Sequence, residues 1–159
     1  MNDVEIRLAD VQDTDSILAV FLDRFPFLQD VPERARKDVA YRVTREDSVT
    51  IVAVGNGSIL AVARGYEQQG IYLMNSICTA SSISVITRSQ IMMKMMPFFV
   101  NTCISHAGRL GLSKAFYSTQ VKSLARLIPL ICNLNGYILS AARHNEEDGY
   151  WISKTGADT

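Results

Sequence analysis

The sequence has no excess charge of either sign and no long hydrophobic run. Its 159 residues contain 16 Lys and Arg against 16 Asp and Glu, so the formal net charge is zero. Such a chain has no overall field that attracts nucleic acid or an anionic membrane. No apolar run reaches the roughly 18 residues of a membrane span, and the first residues lack the pattern of a signal peptide. We therefore expect no nucleic-acid or membrane partner and a cytoplasmic location.

Cysteine and histidine are also scarce. The three cysteines, Cys78, Cys103 and Cys132, are odd in number, widely spaced and set among apolar or small residues, which indicates buried free thiols. His106 and His144 lie far apart without Cys or Asp at ligand spacing, so we expect surface or helix-end histidines and no metal site. The sequence contains no repeat or linker, and we predict one domain over residues 1–155 with a short tail at 156–159.

The apolar periodicity predicts seven strands and four helices. The strongest signal is Gly55-Asn56-Gly57-Ser58 between two β-rich runs, which predicts a hairpin. The predicted strands are residues 5–9, 48–54, 59–66, 71–78, 115–119, 137–142 and 150–153, with a polar loop at 143–149. The predicted helices are residues 14–25, with Asp13 among the N-cap candidates, a second that begins at Pro32, a third that begins near Pro97, and a fourth over 121–134. Pro97 decides the third, because proline is tolerated in a first turn and costs about 3 kcal/mol in a helix interior.

This order, β-α-α-β-β-β-α-β-α-β-β, resembles the GCN5-related N-acetyltransferase (GNAT) family. Ile6-Arg7-Leu8-Ala9 is similar to the opening strand of that family. The phrases Gly108 to Leu112 and Asn135-Gly136-Tyr137 are similar to its helix exits. The resemblance implies an α/β (α+β) fold with a central mixed, mostly antiparallel sheet of about six or seven strands, flanked by about four helices.

The resemblance also implies a glycine-containing turn that holds the pyrophosphate of acetyl-CoA before the central helix. Counting back from the helix exit places the glycines near Lys94 and Met96 and an arginine near Ile91, and none of the three matches. There is no glycine between Gly70 and Gly108. We therefore expect no cofactor. If the chain is active, the candidate cofactor-binding residues are Ile77, Cys78, Arg88, Ser89 and Gln90, the last three within a loop.

The acid and base that the family uses are missing as well. Many members use a strand glutamate and a tyrosine on the last helix. The tyrosine position falls at or near Cys132, and the meander offers only Glu67, which we interpret as solvated. No catalytic residue is assigned.

The most unusual composition is the methionine cluster at positions 92, 93, 95 and 96. Methionine fills irregular cores, and it also forms adaptable surfaces that a partner covers. We predict that Ile91, Met92, Met95 and Met96 contact a protein partner, and the alternative is that they fill the core.

We therefore interpret the chain as a catalytically degenerate GNAT-fold protein that acts as a structural or assembly component through protein-protein contacts. Residues 71–153 resemble the arrangement in small GNAT-like internal virion proteins of short-tailed phages. This resemblance implies virion proteins, or further copies of this chain, as partners and a virion location if the chain is phage-encoded. The alternative function is an acetyl-CoA-dependent amine N-acetyltransferase with an atypical cofactor loop.

Overall fold

A single seven-stranded sheet, in the order β1-β2-β3-β4-β5-β7-β6, organises the chain. The computed structural model describes residues 3–79, 84–119, 128–134, 136–144 and 147–154. The strands are β1 (Glu5–Leu8), β2 (Ser48–Gly55), β3 (Ser58–Gln68), β4 (Ile71–Cys78), β5 (Ala115–Thr119), β6 (Tyr137–His144) and β7 (Glu147–Lys154). Strands β4 and β5 are parallel, and the other neighbouring pairs are antiparallel. The predicted mixed, mostly antiparallel α/β (α+β) fold is confirmed.

The described helices follow the predicted order. They are α1 (Thr14–Arg24), α2 (Pro32–Thr44), α3 (Val85–Arg109) and α4 (Ile128–Leu134), with 3-10 turns at Val11–Asp13 and Pro26–Asp30. Pro32 occupies the first turn of α2, as predicted. Residues 121–127 of the predicted fourth helix and the predicted tail at 156–159 lie outside the described residues.

The predicted hairpin between β2 and β3 is confirmed. Asn56 and Gly57 both have positive φ, at 53° and 75°, which is the conformation of a two-residue type I′ turn. The pairing runs from Ser48 opposite Tyr66 to Gly55 opposite Ser58. The second hairpin is longer than predicted, because β6 and β7 pair as far as His144 opposite Glu147. The predicted loop at 143–149 is wrong, since β6 is an edge strand and edge strands accommodate polar residues.

Asp13 precedes α1 but does not cap it. Its carboxylate accepts two hydrogen bonds from the guanidinium of Arg7, at 2.7 and 2.9 Å, and one from the backbone N–H of Asp10. The hydrogen bonds from Arg7 lower the pKa of Asp13. The predicted N-cap role of Asp13 is therefore replaced by an ion pair that ties β1 to the 3-10 turn before α1.

Helix α3 begins at Val85, and Pro97 lies inside it. The predicted start near Pro97 is wrong. Proline at this position removes the hydrogen bond to the carbonyl of Met93, four residues earlier. Met93 is 44% exposed, so water can satisfy this carbonyl on the outer side of the helix. The cost of the proline is thereby reduced, and burial of the opposite face maintains the helix.

The methionine cluster belongs to the core of the chain. Ile91 is 2% exposed, and Met92, Met95 and Met96 are fully buried. They pack in a cluster with residues of the central strands. The prediction that these four residues contact a partner is wrong, because the sheet of the same chain already covers them.

Two apolar layers cover the two faces of the sheet. The larger layer joins α3 to the sheet, and it includes Phe99 and Cys103. The smaller layer joins α1 and α2 to the other face, and it includes Ile17, Phe21 and Val39. The two layers place α3 on one side of the sheet and the α1–α2 pair on the other.

Met92 and Met93 are a matched pair for testing the burial of α3. We expect Met92→Lys to lower the free energy of unfolding by about 3 kcal/mol or more, because it buries an unpaired charge. Met93→Lys should change it by no more than about 0.5 kcal/mol, because Met93 faces solvent. Urea denaturation of both variants measures the difference, and equal stabilities would contradict the placement of α3.

Candidate functional site

The end of β4 and the start of α3 form the candidate site. The ladder between β4 and β5 ends where Ser76 lies opposite Thr119, whereas β4 continues along β3 until Cys78 lies opposite Ala61. Within the described residues, the last two residues of β4 therefore pair with β3 alone. The side chains of Ile77 and Cys78 are buried in opposite apolar layers. Both side chains thus pack in the core, and a ligand at this site would contact only the backbone of these two residues.

The N-terminus of α3 is capped by the side chain of Ser84. The hydroxyl oxygen of Ser84 accepts a hydrogen bond from the backbone N–H of Thr87 at 3.1 Å. The same hydroxyl lies 2.9 Å from the Thr87 hydroxyl and donates to it. This N-cap satisfies one of the amides that an anion at a helix N-terminus would bind.

Arg88, Ser89 and Gln90 lie in the first turns of α3 and not in a loop. Arg88 and Ser89 are half-buried and Gln90 is exposed. The loop prediction for these three residues is wrong for the same reason as the predicted helix start, because α3 extends twelve residues before Pro97.

Because α3 starts earlier than predicted, the residues expected in the cofactor turn lie inside the helix. Ile91, Lys94 and Met96 lie in the interior of α3, so they cannot form a turn before the helix. The connection between β4 and α3 spans residues 79–84, whose sequence is Thr-Ala-Ser-Ser-Ile-Ser. Residues 80–83 lie outside the described residues. This segment also contains no glycine.

Positive charge lies near the end of β4. Burial raises the pKa of the Cys78 thiol to about 11, and the charges of Arg88 and Arg24 lower it by less. A carboxylate is also present here, because Asp23 of α1 accepts a hydrogen bond from the Thr79 hydroxyl at 2.9 Å. Sequence reasoning missed Asp23, since it lies 56 residues before Thr79 and only the fold brings them together.

Two buried hydroxyls face each other between β4 and β5. The hydroxyls of Ser76 and Tyr117 are 2.5 Å apart, and both residues are at most 1% exposed. The Tyr117 hydroxyl also lies 3.8 Å from the sulfur of Met96. Sequence reasoning missed this pair, because alternation along each strand indicates burial but does not identify partners in a parallel ladder.

The residues at the expected acid and base positions do not form a proton-transfer pair. Cys132 on α4 is fully buried, and burial raises the pKa of its thiol to about 11. Glu67 is exposed, and its carboxylate accepts a hydrogen bond from the N–H of Gly70 in the turn between β3 and β4. Because Glu67 lies opposite Tyr72, it is near the start of β4, away from the candidate site.

His106 has a buried structural role that the sequence did not reveal. It is 4% exposed, which corrects the expected surface position, although it does lie in the last turn of α3. Its Nε2 lies 2.9 Å from the carbonyl of Glu46, so Nε2 carries the proton and Nδ1 accepts a hydrogen bond from the Tyr72 hydroxyl at 2.8 Å. The imidazole ties α3 to β4 and to the segment before β2.

His144 packs against aromatic rings. Its imidazole centroid lies 5.3 Å from that of Phe116 and 5.9 Å from that of Trp151.

Among the residues that the structure describes, no group of three or more His, Cys, Asp or Glu could hold a metal ion. None of the described helices combines the length and apolar character that a membrane crossing requires.

Solved structures share the fold of this chain. The PaiA N-acetyltransferase of Thermoplasma acidophilum, in complex with coenzyme A, has a TM-score of 0.60 and 9% identity over 96% of this chain and 99% of that chain. A GNAT-family acetyltransferase of Bacillus cereus has a TM-score of 0.59 and 15% identity over 97% and 99%. The ribosomal L7/L12 α-N-protein acetyltransferase RimL, with coenzyme A, has a TM-score of 0.59 and 15% identity over 99% and 97%.

No family model matches the sequence, and no curated protein matches it. At identities this low, similarity to solved structures establishes the fold alone. The chain has the GNAT fold that its element order predicts.

The three cysteines are free and buried, as predicted. Burial raises the pKa of Cys103 to about 12 and those of Cys78 and Cys132 to about 11, so the reactive thiolate form is scarce at pH 8. We expect slow labelling by a thiol reagent in the native protein and complete labelling in denaturant. The control is Ile86→Cys, at a position that is 72% exposed, which should react fast. Fast native labelling at Cys132 would contradict its placement.

Proposed function

We propose that this chain is a catalytically degenerate GNAT-fold protein that acts as a structural or assembly component through non-covalent contacts with proteins. The observation that carries the proposal is the start of α3, where the Ser84 side chain caps the helix and the preceding segment contains no glycine. A bound pyrophosphate needs free amides and a backbone without Cβ atoms at this position. Both requirements conflict with these residues.

The positions that carry proton transfer in the resembling family support the same proposal. The tyrosine position is a buried thiol at Cys132, and β4 carries no carboxylate. Asp23 of α1 lies near the end of β4, but its carboxylate accepts a hydrogen bond from the Thr79 hydroxyl. The Cys132 thiol on α4 and a strand β4 without a carboxylate therefore offer no base near neutral pH.

The outer side of α3 is the surface that we propose for protein contacts. Ile86 is 72% exposed, Met93 44% and Phe98 41%, and Pro97 between them is half-exposed. Apolar and aromatic residues of this kind are enriched at the centre of protein interfaces. The proposed surface thus lies on the predicted helix, but on the side opposite Met92 and Met95.

The partners that we propose are other copies of this chain or the proteins of a larger assembly. An internal virion protein of a short-tailed phage, the arrangement that residues 71–153 resemble, is one such assembly component. The zero net charge is consistent with protein partners and gives no general attraction to nucleic acid.

A second candidate function is acetyl-CoA-dependent N-acetylation through an atypical cofactor loop. The positive charges of Arg24 and Arg88 near the end of β4 favour it, because they could compensate for missing backbone contacts to a pyrophosphate. The structural neighbours named above, which are acetyltransferases, also favour it.

Titration calorimetry with acetyl-CoA and with CoA separates the two functions. We expect no saturable binding to the wild-type chain, because Ser84 caps the helix. A dissociation constant of tens of micromolar or tighter, about 6 kcal/mol or more, would contradict the proposal and favour the acetyltransferase alternative.

Two matched arginine variants identify the site if binding occurs. Arg88→Ala should then weaken it about ten-fold, the loss typical of a charge-assisted hydrogen bond. Arg109→Ala, at the opposite end of α3, should leave it unchanged.

A further inference from the structure

A cavity of about 470 Å³ lies between α1, α2 and the sheet. It is on the opposite face of the sheet from α3, so it is separate from the candidate site described above. Its volume is within the range of small-molecule sites. Its apolar walls include Leu18, Phe21, Phe25, Leu28, Ala35 and Val39.

The mouth of this cavity is also apolar. Phe27, in the 3-10 turn between α1 and α2, is 67% exposed, and Val31 at the start of α2 is 44% exposed. Both residues line the cavity and leave apolar surface in water, which is an unfavourable arrangement for an empty pocket. A ligand with an apolar body would cover this surface.

One charged group reaches the cavity from the sheet. Arg64 of β3 lines it, and its side chain is 15% exposed. The guanidinium carbon lies 4.5 Å from the centre of the Phe21 ring. The Nε atom of Arg64 is buried and has no hydrogen-bond partner among the described residues.

The described carboxylate near Arg64 does not fully pair its guanidinium. The ion-pair partner of Arg64 among the described residues is Asp38, whose carboxylate lies 3.6 Å from Nη1, which is too long for a good hydrogen bond. Asp38 is shared with Arg42 at 3.5 Å, and its side chain is 53% exposed. Arg34 also lines the cavity. Two guanidinium groups, those of Arg42 and Arg64, therefore share one partly solvated carboxylate.

The pKa of Arg64 is lowered, which agrees with its burial and its incomplete pairing with Asp38. Burial lowers the pKa of Arg64, the nearby charge of Arg42 lowers it further, and Asp38 raises it. A buried guanidinium that lacks full hydrogen bonding costs stability unless an anion completes its contacts.

We propose that the cavity is a binding site for a small amphiphilic carboxylate, with the carboxylate on Arg64 and the apolar body between α1 and α2. The planar guanidinium fork matches two carboxylate oxygens, and such pairs are the strongest hydrogen-bonded ion pairs. The apolar walls and mouth select a ligand with an aliphatic or aromatic body. This site goes beyond the proposed function, and its occupancy does not depend on whether acetyl-CoA binds.

The test is calorimetric titration of the full chain with decanoate, decanol and decylammonium. We expect saturable one-to-one binding of decanoate, weaker binding of decanol and still weaker binding of decylammonium. Arg64→Met should weaken decanoate binding about ten-fold or more and leave decanol binding unchanged. Lys37→Met, an equal charge change on the exposed side of α2, should alter neither affinity.

Ala35→Leu tests the apolar part of the site independently of Arg64. It fills the cavity, so it should weaken decanoate and decanol together. Replacement of Arg64 by methionine should not lower the melting temperature, because it removes a poorly compensated buried charge. If Arg64→Met unfolds, Ala35→Leu still decides the outcome.

The proposal is overturned if decanoate does not bind, if it binds with several equivalents per chain, or if decylammonium binds more tightly. Equal affinity of wild type and Arg64→Met for decanoate would also overturn it. So would unchanged decanoate binding in Ala35→Leu.

Discussion

The burial of one face of α3 against the sheet is the constraint on which the rest of the structure depends. Buried residues recur along the helix as adjacent pairs every four positions, at 91 and 92, 95 and 96, 99 and 100, and 103 and 104. This spacing follows the helical period and produces a continuous apolar stripe. The stripe keeps Pro97 inside the helix, because each turn on either side of it is anchored in the core.

The position of α3 in turn determines what the end of β4 can do. The stripe anchors the helix from Ile91 onward, and the helix begins at Val85, directly after the Ser84 cap. In an acetyltransferase site of this fold class, the helix N-terminus would face the cofactor pyrophosphate. Here the Ser84 side chain occupies one of those amides, and Arg88 adds positive charge without the glycine backbone that a close approach requires. The core thus maintains the fold independently of what the start of α3 binds.

Local sequence patterns predict most of the fold. The features that they do not predict depend on contacts between residues far apart in the sequence. Asn56-Gly57 and strand alternation gave the central meander, because turn conformation and side-chain direction are local properties. The start of α3 differs from the prediction, because the local cost of Pro97 does not include the burial of the paired apolar residues around it. The buried roles of His106 and Arg64 could not be predicted, since they depend on Tyr72 and on Phe21, which lie far away in the sequence.

We propose that the start of α3 does not receive a cofactor phosphate. The most direct measurement follows the backbone amide resonances of residues 84–88 by heteronuclear NMR while acetyl-CoA is added. We expect these resonances to stay unshifted, because the Ser84 hydroxyl remains hydrogen-bonded to the amide of Thr87. Saturable shifts centred on Ser84 to Arg88 would contradict it and would place the cofactor at the helix N-terminus.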